Sequence, residues 1–439
     1  MMIPPRPKMP RLLRTLNLAL RPLEYMDAYS QRYGDFFMVG SREFPVVYFS
    51  HPQAIEELFT TPPDKFTVGR GNQLRFLVGD NSILLLDGER HQQQRRLLMP
   101  PFHGDRLRTY SQLIVNITEQ VTAQWQDGQP FVVRSSMQEI TLCVILQAVF
   151  GIHSGERFER LRRLLSQLLD STSSTLSSIP LFFPSLQQDW GPLSPWGRFL
   201  RLRQQVKELI EDEIAQRHRR SLSGGDILSV LMSARDESGQ PMTDAELHDE
   251  LMTLLVAGHE TTASALSWAL YWIHYLPEVQ SKLRHELAAT DISDLNQSAR
   301  LPYLNAVCLE TLRIYPIALT TFPRITQVPV RLMNYRFDAG TALIPCVYLT
   351  HHREEIYPEP KRFRPERFLE RRYSAYEYLP FGGGHRRCIG QALALLEMKL
   401  VLATILSRFQ LALVNQHPVK PVRRGLTVAP PSGMRMVVN

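Results

Sequence analysis

The sequence has no long uninterrupted hydrophobic run, and this excludes a transmembrane anchor. A helix that spans a bilayer needs roughly 20 consecutive apolar residues, whereas charged residues break the longer apolar stretches of this chain. The amino-terminal stretch is rich in proline and basic residues and is interrupted by Arg11, Arg14 and Arg21. It fits neither a signal peptide nor an anchor. We interpret it as a lead-in strand in preference to a segment that contacts a membrane surface.

Cysteine is scarce, and its spacing excludes two kinds of site. The four cysteines, Cys143, Cys308, Cys346 and Cys388, are far apart and form no Cys-x-x-Cys pair, so a zinc knuckle or a redox dithiol is not expected. The first three lie among apolar residues and are predicted to be ordinary buried thiols. This cysteine usage is typical of a reducing compartment, and we expect a cytoplasmic protein.

The chain also lacks nucleic-acid-binding motifs, internal repeats and recognisable linkers. Its formal net charge is +7, with 44% hydrophobic and 21% charged residues, which is a globular composition with a basic surface. Because no repeat of aromatic and basic residues accompanies the charge, we expect no nucleic-acid partner. A basic surface can instead steer an acidic protein partner. We predict one domain, residues 1–439, and a monomer.

What the sequence does contain is a glycine-rich turn that ends in a cysteine. Residues 378–390 read Tyr-Leu-Pro-Phe-Gly-Gly-Gly-His-Arg-Arg-Cys-Ile-Gly, and an apolar helical run from Ala392 to Leu406 follows. Positive neighbours and the amide groups of a helix start both lower the pKa of a thiol, so we expect Cys388 to be a thiolate. A structural cysteine after an ordinary glycine loop is the alternative that the turn alone leaves open.

The full string resembles the haem-binding signature of the cytochrome P450 superfamily, Phe-x-x-Gly-x-Arg-x-Cys-x-Gly. Phe381, Gly384, Arg386, Cys388 and Gly390 occupy its defined positions. The resemblance covers essentially the whole chain, with no fused reductase. It implies a mainly α fold with small β-sheets (α+β), in which haem b (iron protoporphyrin IX) lies between a long central helix and the cysteine loop. It also implies that Cys388 is the axial thiolate ligand of the iron and that Phe381 lies against the haem.

The long central helix is predicted from Thr243 to Tyr275. Thr243 and Glu246 are three residues apart at its start, which is the pattern of a capping box. In the middle of the helix, residues 257–262 read Ala-Gly-His-Glu-Thr-Thr, and glycine and threonine there weaken a helix. By themselves these residues are also consistent with a solvated polar patch at a kink.

The same residues resemble the family's oxygen-activation motif, Ala-Gly-x-(Asp/Glu)-Thr. The resemblance implies a widened helical turn beside the iron, with Thr261 hydrogen-bonding dioxygen and Glu260 relaying protons. His259 fills the variable position of the motif, and we expect it to pack or to face water.

Several cationic residues resemble the family's ligands of the haem propionates. His91 and Arg95 are four residues apart and share one helix face, which by itself also describes a solvated basic face. The family commonly has Trp or His, three residues and then Arg at this point, so the resemblance implies that both residues bind propionates. It implies the same for Arg324 and Arg386, and a planar guanidinium suits a carboxylate.

A further set of charged residues resembles the family's structural network behind the haem. Glu310 and Arg313 form a Glu-x-x-Arg pair, which is weak evidence alone, and Arg367 lies in a later Phe-Arg-Pro-Glu-Arg-Phe segment. The resemblance implies that these three are buried together. Because one carboxylate cannot neutralise two guanidiniums, we expect their other donors to meet backbone carbonyls.

The remaining pattern predicts helices with a few short strands. Two loops, residues 61–79 and 171–195, are placed over the substrate pocket by the resemblance. The other predicted elements are a helix at 23–33, strands at 36–39 and 46–49, a helix at 51–60, mostly helix over 105–220 with a buried segment at 135–150, a helix at 301–315, and strands near 331–333, 343–347, 409–414 and 434–438.

The resemblance implies a haem-thiolate monooxygenase that inserts one oxygen atom of dioxygen into a lipophilic substrate, such as a fatty acid, a terpene or a steroid-like molecule. The electrons would come from a separate, acidic ferredoxin or flavodoxin. We expect it to dock on the basic side of the cysteine loop, at Arg95, Arg96, Arg362, Arg364, Arg371, Arg372 and Arg387.

Two other classes of function stay open at this point. One is a haem-thiolate isomerase or peroxygenase that needs no redox partner, although the Glu260–Thr261 pair argues against it. The other is a non-enzymatic haem sensor or carrier.

Overall fold

The computed structural model describes residues 4–7, 9–41, 43–68, 74–173, 187–191, 194–220, 225–291, 294–425 and 427–439. Within them helices predominate, as the sequence predicts. The helices of the amino-terminal half are α1 (Arg11–Leu20), α2 (Pro22–Tyr33), α3 (Pro52–Thr60), α4 (Arg75–Val78), α5 (Gly88–Leu98), α6 (Asp105–Thr122), α7 (Val133–Phe150), α8 (Glu156–Ser173) and α9 (Pro195–Arg220). Those that follow are α10 (Ile227–Ser233), α11 (Asp244–Tyr275), α12 (Pro277–Ala288), α13 (Leu295–Ser298), α14 (Pro302–Ile314), α15 (Val347–His351), α16 (Arg367–Glu370) and α17 (Gln391–Arg408).

The strands are short and form small sheets at the edge of the helical body. In chain order they are β1 (Phe36–Met38), β2 (Val46–Phe49), β3 (Phe66–Thr67), β4 (Phe131–Val132), β5 (Arg324–Thr326), β6 (Val330–Leu332), β7 (Tyr335–Phe337), β8 (Ala342–Pro345), β9 (Leu411–Leu413), β10 (Val422–Arg424), β11 (Thr427–Ala429) and β12 (Arg435–Val438). One sheet has the order β1-β2-β8-β5-β3, with only the β2–β8 pair parallel. A second has the order β4-β12-β9, and β6–β7 and β10–β11 are separate antiparallel pairs. Together with the helices, these sheets give the predicted mainly α fold.

The long helix α11 runs through the middle of the largest hydrophobic core. Its start is the predicted capping box: the Thr243 hydroxyl accepts from the Glu246 amide at 3.3 Å, and the Glu246 carboxylate accepts from the Thr243 amide at 2.9 Å. Helix α7 packs along α11, and α17 packs against both α6 and α11. A Cβ atom at Gly258 would lie 3.0 Å from Cδ1 of Ile145 on α7. This glycine therefore allows the close approach of α7 and α11.

Two expectations about local structure need correction. The stretch after the amino-terminal prolines is the helix α1, not a strand, although the Met38 amide does donate to the carbonyl of Pro5 at 3.0 Å. Helix α11 is continuous, without a break at residues 257–262. Of the two predicted loops, residues 69–73, 174–186 and 192–193 lie outside the described part of the chain, and 61–79 also contains β3 and α4.

Among the helices that the structure describes, none combines the length and the apolar character needed to cross a bilayer.

Candidate functional site

The cysteine loop between α16 and α17 is shaped by its glycines. The Cys388 amide donates to the carbonyl of Phe381 at 3.0 Å and closes the loop. Gly382 and Gly384 have φ values of +65° and +63°, in the left-handed region that side chains disfavour. A Cβ atom at Gly383 would lie 2.2 Å from the ring of Phe59. Three consecutive glycines are therefore required here, two by backbone conformation and one by close contact.

The sulfur of Cys388 lies at the amino terminus of α17, in a partly polar setting. The residue is exposed on one side, and its Sγ accepts hydrogen bonds from the amides of Gly390 and Gln391. Desolvation by the atoms packed round its other sides raises the pKa of the thiol, and the amides and the charges of Arg95 and Arg387 only partly oppose this. The amides and charges that the sequence revealed therefore act in the expected direction, but in the chain without haem desolvation outweighs them and the net shift of the pKa is upward.

A group of cationic and imidazole side chains lies beside the cysteine loop. We call it the cationic cluster, and its members are His91, Arg95, Arg324, His385 and Arg386. It combines side chains from α5, β5 and the cysteine loop, so the fold brings together all four residues predicted from the sequence to bind propionates.

Arg386 anchors the cluster to the segment before α5. Its Nη2 donates to the Asp87 carboxylate at 2.7 Å and also, in a short contact, to the carbonyl of Leu86. The same carboxylate accepts from the Val68 amide at 2.9 Å. Burial is the main cause of a lowered pKa at Arg386, and Asp87 partly opposes it.

Burial and the charges of the arginines lower the pKa values of the other members of the cluster. Burial first, and then the charge of Arg386, lower the pKa of Arg324 to about 9. Burial, Arg386 and His385 lower the pKa of His91 to about 3. The rings of His91 and His385 are in edge-to-face contact, with centroids 5.7 Å apart, and burial followed by the charge of Arg324 lowers the pKa of His385 to about 4. Both imidazoles are therefore neutral at pH 7.

Arg95 connects the cluster to the cysteine. Its Nη1 donates to the carbonyl of Arg387 at 2.7 Å, and the neighbouring Cys388 acts on its pKa, which burial lowers. Within the described residues, neither Arg95 nor Arg324 forms a salt bridge with a carboxylate. The cluster therefore carries more positive charge than the protein itself neutralises.

The middle of α11 has an open position in an otherwise buried helix. Ala257 is exposed, while the residues at 247–255 and 262–271 are buried. The Thr261 hydroxyl donates to the carbonyl of Ala257 at 2.5 Å, so its oxygen lone pairs remain available as acceptors. Thr261 and Ala257 are four residues apart and share a face of the helix.

Glu260 points away from that face, towards α7. Its carboxylate forms a short ion pair with Nη2 of Arg134 and accepts from Gln138 Nε2 at 3.2 Å. Arg134 is only 2% exposed and also donates to the Ser264 hydroxyl at 3.1 Å. His259 was expected either to pack or to face water. It is buried, and its Nδ1 lies 2.9 Å from the Thr141 hydroxyl. In this arrangement the Glu260 carboxylate bonds Arg134 and Gln138, and the Thr261 hydroxyl bonds the Ala257 carbonyl, so the two side chains are not hydrogen-bonded to each other.

The predicted charged network on α14 is fully buried, and its geometry confirms the expectation. Glu310 bonds Arg313 at 2.6 and 2.9 Å and Arg367 at 3.1 Å. We call these three residues the Glu310 network. The spare donors of Arg313 reach the carbonyls of His351 and Arg362, and those of Arg367 reach Pro358 and Arg362.

Cys388, the cationic cluster and the exposed position on α11 together fit a haem. The sulfur of Cys388 is exposed on one side, at a helix amino terminus. Burial lowers the pKa of both neighbouring arginines, and the charge of Arg386 lowers that of Arg324 further. The two propionate carboxylates of a haem would supply the missing negative charge. An exposed alanine in the middle of α11 offers a flat, small-residue surface.

Sequence reasoning missed three residues of the site. Asp87 precedes α5 and gave no motif, and His385 stands at a variable position of the cysteine string. Arg134 lies 126 residues before Glu260. A charged residue directly before the strongly apolar segment 135–150 was the one available signal, because a buried arginine there needs a partner.

Three comparisons with known proteins bear on this site. The family model described as Cytochrome P450 matches residues 3–437. A Mycobacterium tuberculosis protein that carries the provisional name cytochrome P450 135B1 is 36% identical over 441 residues, covering 100% of this chain and 91% of that protein. Another with a provisional name from the same organism, cytochrome P450 135A1, is 33% identical and covers 99% of this chain and 94% of its own length. The solved structure of retinoic acid-bound cyanobacterial CYP120A1 superposes with a TM-score of 0.86 at 26% identity, covering 100% of this chain and 99% of that one.

Proposed function

Because the chain belongs to the cytochrome P450 family, and is thereby a monooxygenase of the oxidoreductase class, we propose that it inserts one oxygen atom of dioxygen into a lipophilic small molecule with electrons from a separate ferredoxin or flavodoxin. The observation that carries the proposal is the cysteine loop. In it the Sγ atom of Cys388, beside Arg95, accepts hydrogen bonds from two backbone amides at the start of α17. A fatty acid, a terpene and a steroid-like molecule are the substrate types we consider.

Different residues of the site would bind different parts of a haem. When bound, the haem supplies the redox chemistry by which dioxygen is activated. Cys388 would hold the haem iron through its sulfur, and the amides of Gly390 and Gln391 would stabilise the negative charge on that sulfur. Phe381 would help to hold the haem indirectly, since its carbonyl closes the loop that carries Cys388.

The cationic cluster would bind the two propionates. Arg95, Arg324 and Arg386 would donate charge-assisted hydrogen bonds, and His91, neutral at pH 7, would donate one ring N–H. Asp87 would keep Arg386 in position, since it already holds that guanidinium at 2.7 Å.

Glu260 and Thr261 would move a proton to the oxygen side of the site. The Thr261 hydroxyl can accept a hydrogen bond while it donates to the carbonyl of Ala257. Glu260 could reach the proton only after exchanging its contact with Arg134, so Arg134 is a positioning residue in this proposal. Replacement of Glu260 by Gln should slow turnover roughly 10²- to 10⁴-fold, which is typical for loss of a proton-transfer group, without changing haem content.

A lipophilic substrate is supported by an aromatic group between α4 and α9, two helices that both contact α11, and by one relative. Phe76 of α4 contacts Trp196 and Phe199 of α9, with ring centroids 5.0 and 5.2 Å apart. The CYP120A1 structure contains retinoic acid, an apolar molecule with one carboxylate. Retinoic acid is therefore the first ligand to test.

The electron donor would dock on the outer face of the cysteine loop. Of the seven arginines predicted for this surface, four form salt bridges with acidic partners: Arg96 with Glu237, Arg362 with Glu359, Arg364 with Glu370 and Arg371 with Glu377. Arg372 and Arg387 are exposed and form no salt bridge within the described chain. A pocket of about 140 Å³ lined by Phe59, Tyr376 and Arg387 lies at the same face. Arg372 and Arg387 should therefore dominate the attraction of an acidic partner.

One set of measurements on the purified protein tests the proposal. The reduced, carbon monoxide-bound protein should have the red-shifted absorption band of thiolate-ligated haem, and the Cys388→Ser variant should lose it. The same band in that variant would mean that another residue binds the iron, and the proposal would be wrong.

Turnover then separates the classes of function. Oxygenated product should form from dioxygen with a generic ferredoxin and its reductase. Product formed only with peroxide would indicate a peroxygenase, rearranged product without net oxidation an isomerase, and no product with any screened ligand a haem carrier or sensor. A shift of the haem absorption on addition of retinoic acid or fatty acids would identify candidates for the substrate.

A further inference from the structure

We infer that helix α1 and the turn between β1 and β2 form a docking surface for an anionic lipid bilayer. The surface consists of Leu13, Leu16 and Leu20, which we call the leucine face, together with Met9 and Phe44. It lies apart from the cysteine loop, and the inference does not depend on the reaction that the protein catalyses.

The leucine face is an apolar stripe that points to solvent. Leu13, Leu16 and Leu20 are 51%, 37% and 62% exposed, and their spacing of three and four residues puts them on one side of α1. Met9, just before the helix, is 38% exposed. A contiguous apolar stripe of this kind on a helix marks a surface that contacts something else.

The fold holds the leucine face outward. On the opposite side of α1, Leu18 packs against the core cluster that contains Tyr25, and its carbonyl accepts from Nη1 of Arg423 at 2.7 Å. Arg14 lies close enough to Tyr25 to lower the pKa of its hydroxyl, against the stronger effect of burial. The helix therefore cannot roll to bury its leucines without breaking these contacts.

Phe44, on the turn between β1 and β2, is a further exposed apolar side chain. It is 73% exposed, the largest exposure of the large hydrophobic side chains in the described residues. Its carbonyl lies against Gly40, where a Cβ atom would be only 1.9 Å away. Arg6, five residues before α1, donates to the carbonyl of Gly40 at 2.6 Å. This contact ties the turn that bears Phe44 to the segment that leads into α1.

The charge of the segment selects the partner. The first acidic residue of the sequence is Glu24, whereas Arg6, Lys8, Arg11, Arg14 and Arg21 precede it. Arg21, at the end of the helix, is exposed. Apolar side chains in a segment whose charged residues are all basic are the features of a helix that lies in the interface of an anionic membrane.

A second copy of the chain is the other occupant to consider. A symmetric dimer through the leucine face would bring the same positive segment of each copy together. Like charges across an interface are unfavourable, so the charge argues for lipid over self-association.

The experiment uses the full-length, haem-loaded protein and sedimentation with vesicles. Vesicles of phosphatidylcholine with about 30% phosphatidylglycerol should bind the protein, and pure phosphatidylcholine vesicles should bind at least tenfold less, because anionic headgroups attract the cations. Raising the salt to about 0.5 M should weaken the binding several-fold by screening. Equal binding to both kinds of vesicle, or none to either, would overturn the inference.

Variants test which residues make the contact. The Leu16→Ser/Leu20→Ser double variant should lower the partition coefficient at least about tenfold, since less apolar area enters the interface. Arg21→Glu should lower it several-fold. Leu369→Ser is the matched control, because Leu369 is 51% exposed, as Leu13 is, and it should bind as the unchanged protein does.

All these positions are exposed, so the variants should fold, and an unchanged carbon monoxide difference spectrum verifies that they do. An equal loss of binding in Leu369→Ser would contradict the assignment to α1. So would analytical ultracentrifugation in which the unchanged protein forms a dimer that the double leucine variant cannot form, because the leucine face would then be an interface between two copies.

Discussion

The Glu310 network and the cationic cluster are two groups of buried or partly buried charges. They differ in how far the chain itself compensates their charge. In the Glu310 network the guanidinium groups of Arg313 and Arg367 donate to the Glu310 carboxylate and to backbone carbonyls. Glu310 and Arg313 are 0% exposed. In the cationic cluster, one carboxylate, Asp87, faces three arginines, and the pKa values of His91 and Arg324 are lowered. The first group is complete within the chain, whereas the second lacks anions.

This difference separates a structural group from a binding group on physical grounds. Burial of charge is unfavourable unless hydrogen bonds and opposite charges compensate for it. The Glu310 network achieves this compensation by folding alone, so it stabilises the protein with or without a ligand. The cationic cluster achieves it only with two further carboxylates, so it should stabilise the complex and not the free chain.

The largest expected effect comes from breaking the complete network. Glu310→Gln should lower the free energy of unfolding by about 3–5 kcal/mol, because it leaves two buried arginines without a counter-charge. Urea unfolding measures the change. The matched control is Glu359→Gln, in an exposed pair with Arg362 at the same i, i+3 spacing, with side chains 65% and 64% exposed. Its cost should stay below about 1 kcal/mol, and a similar cost for both variants would contradict the comparison.

The second prediction breaks the incomplete group. Arg324→Met should leave the haem-free protein as stable as before or more stable, because one of several mutually repelling charges is gone. The affinity for haem should fall about 10- to 100-fold, the equivalent of one hydrogen bond to a charged group, about 1.5–3 kcal/mol. Unfolding of the haem-free protein and the rate of haem transfer to an acceptor protein are the two measurements.

Arg367→Met provides the contrast for Arg324→Met, because it removes an arginine from the complete network. It should destabilise the haem-free protein. If both variants weakened the haem-free protein alike, the distinction between the two groups would fail.

The third prediction concerns acid. The folded-state pKa of His91 is about 3 and that of His385 about 4, below the value of about 6.5 in an unfolded chain. The unfolded state therefore binds these protons first, and stability falls as the pH drops from about 6.5 towards 4. For each imidazole the loss between pH 6.5 and 5 is about 2 kcal/mol at most.

Haem should reduce this acid sensitivity, because its propionates would raise the pKa of both imidazoles. The His91→Gln variant of the haem-free protein should have a shallower dependence of unfolding free energy on pH over the same range. Identical slopes for the haem-free and haem-loaded proteins would argue against propionates at this cluster.

The smallest expected effect is that of a simple anion. Sulfate should stabilise the haem-free protein by about 1.4 kcal/mol at concentrations near tenfold its dissociation constant, because it supplies part of the missing negative charge. Thermal unfolding measures it, with chloride at equal ionic strength as the control. Arg324→Met should reduce the stabilisation, and an undiminished effect in that variant would locate the anion elsewhere.

Much of the fold was predictable because its signals are local. The capping box that begins α11, the strand β2 and the helix after the cysteine loop agree with the sequence-based expectations within a few residues. The short strands β4, β10 and β11 were not predicted, since their pairing depends on partners elsewhere in the chain. A single domain, the absence of a fused reductase and a monomeric state stay predictions.

The candidate site was predictable in its components more than in its contacts. The four propionate-binding candidates and Cys388 were identified by spacing and resemblance, and the fold brings them to one place. The role of Gly258 was interpreted as a widening of α11, whereas its contact is with Ile145 on α7. Gly258 therefore has a packing role that no local pattern could indicate.

By itself the sequence determined the chemical groups: one cysteine in a glycine turn, arginines for carboxylates, and an acid next to an alcohol in a long helix. Only the tertiary structure decided which of these groups are neutralised. Arg134 meets Glu260, Asp87 meets Arg386, and the leucines of α1 meet solvent. The physical reason is that burial and charge pairing depend on distances between residues that are far apart in the chain, and these exist only once the helices have packed.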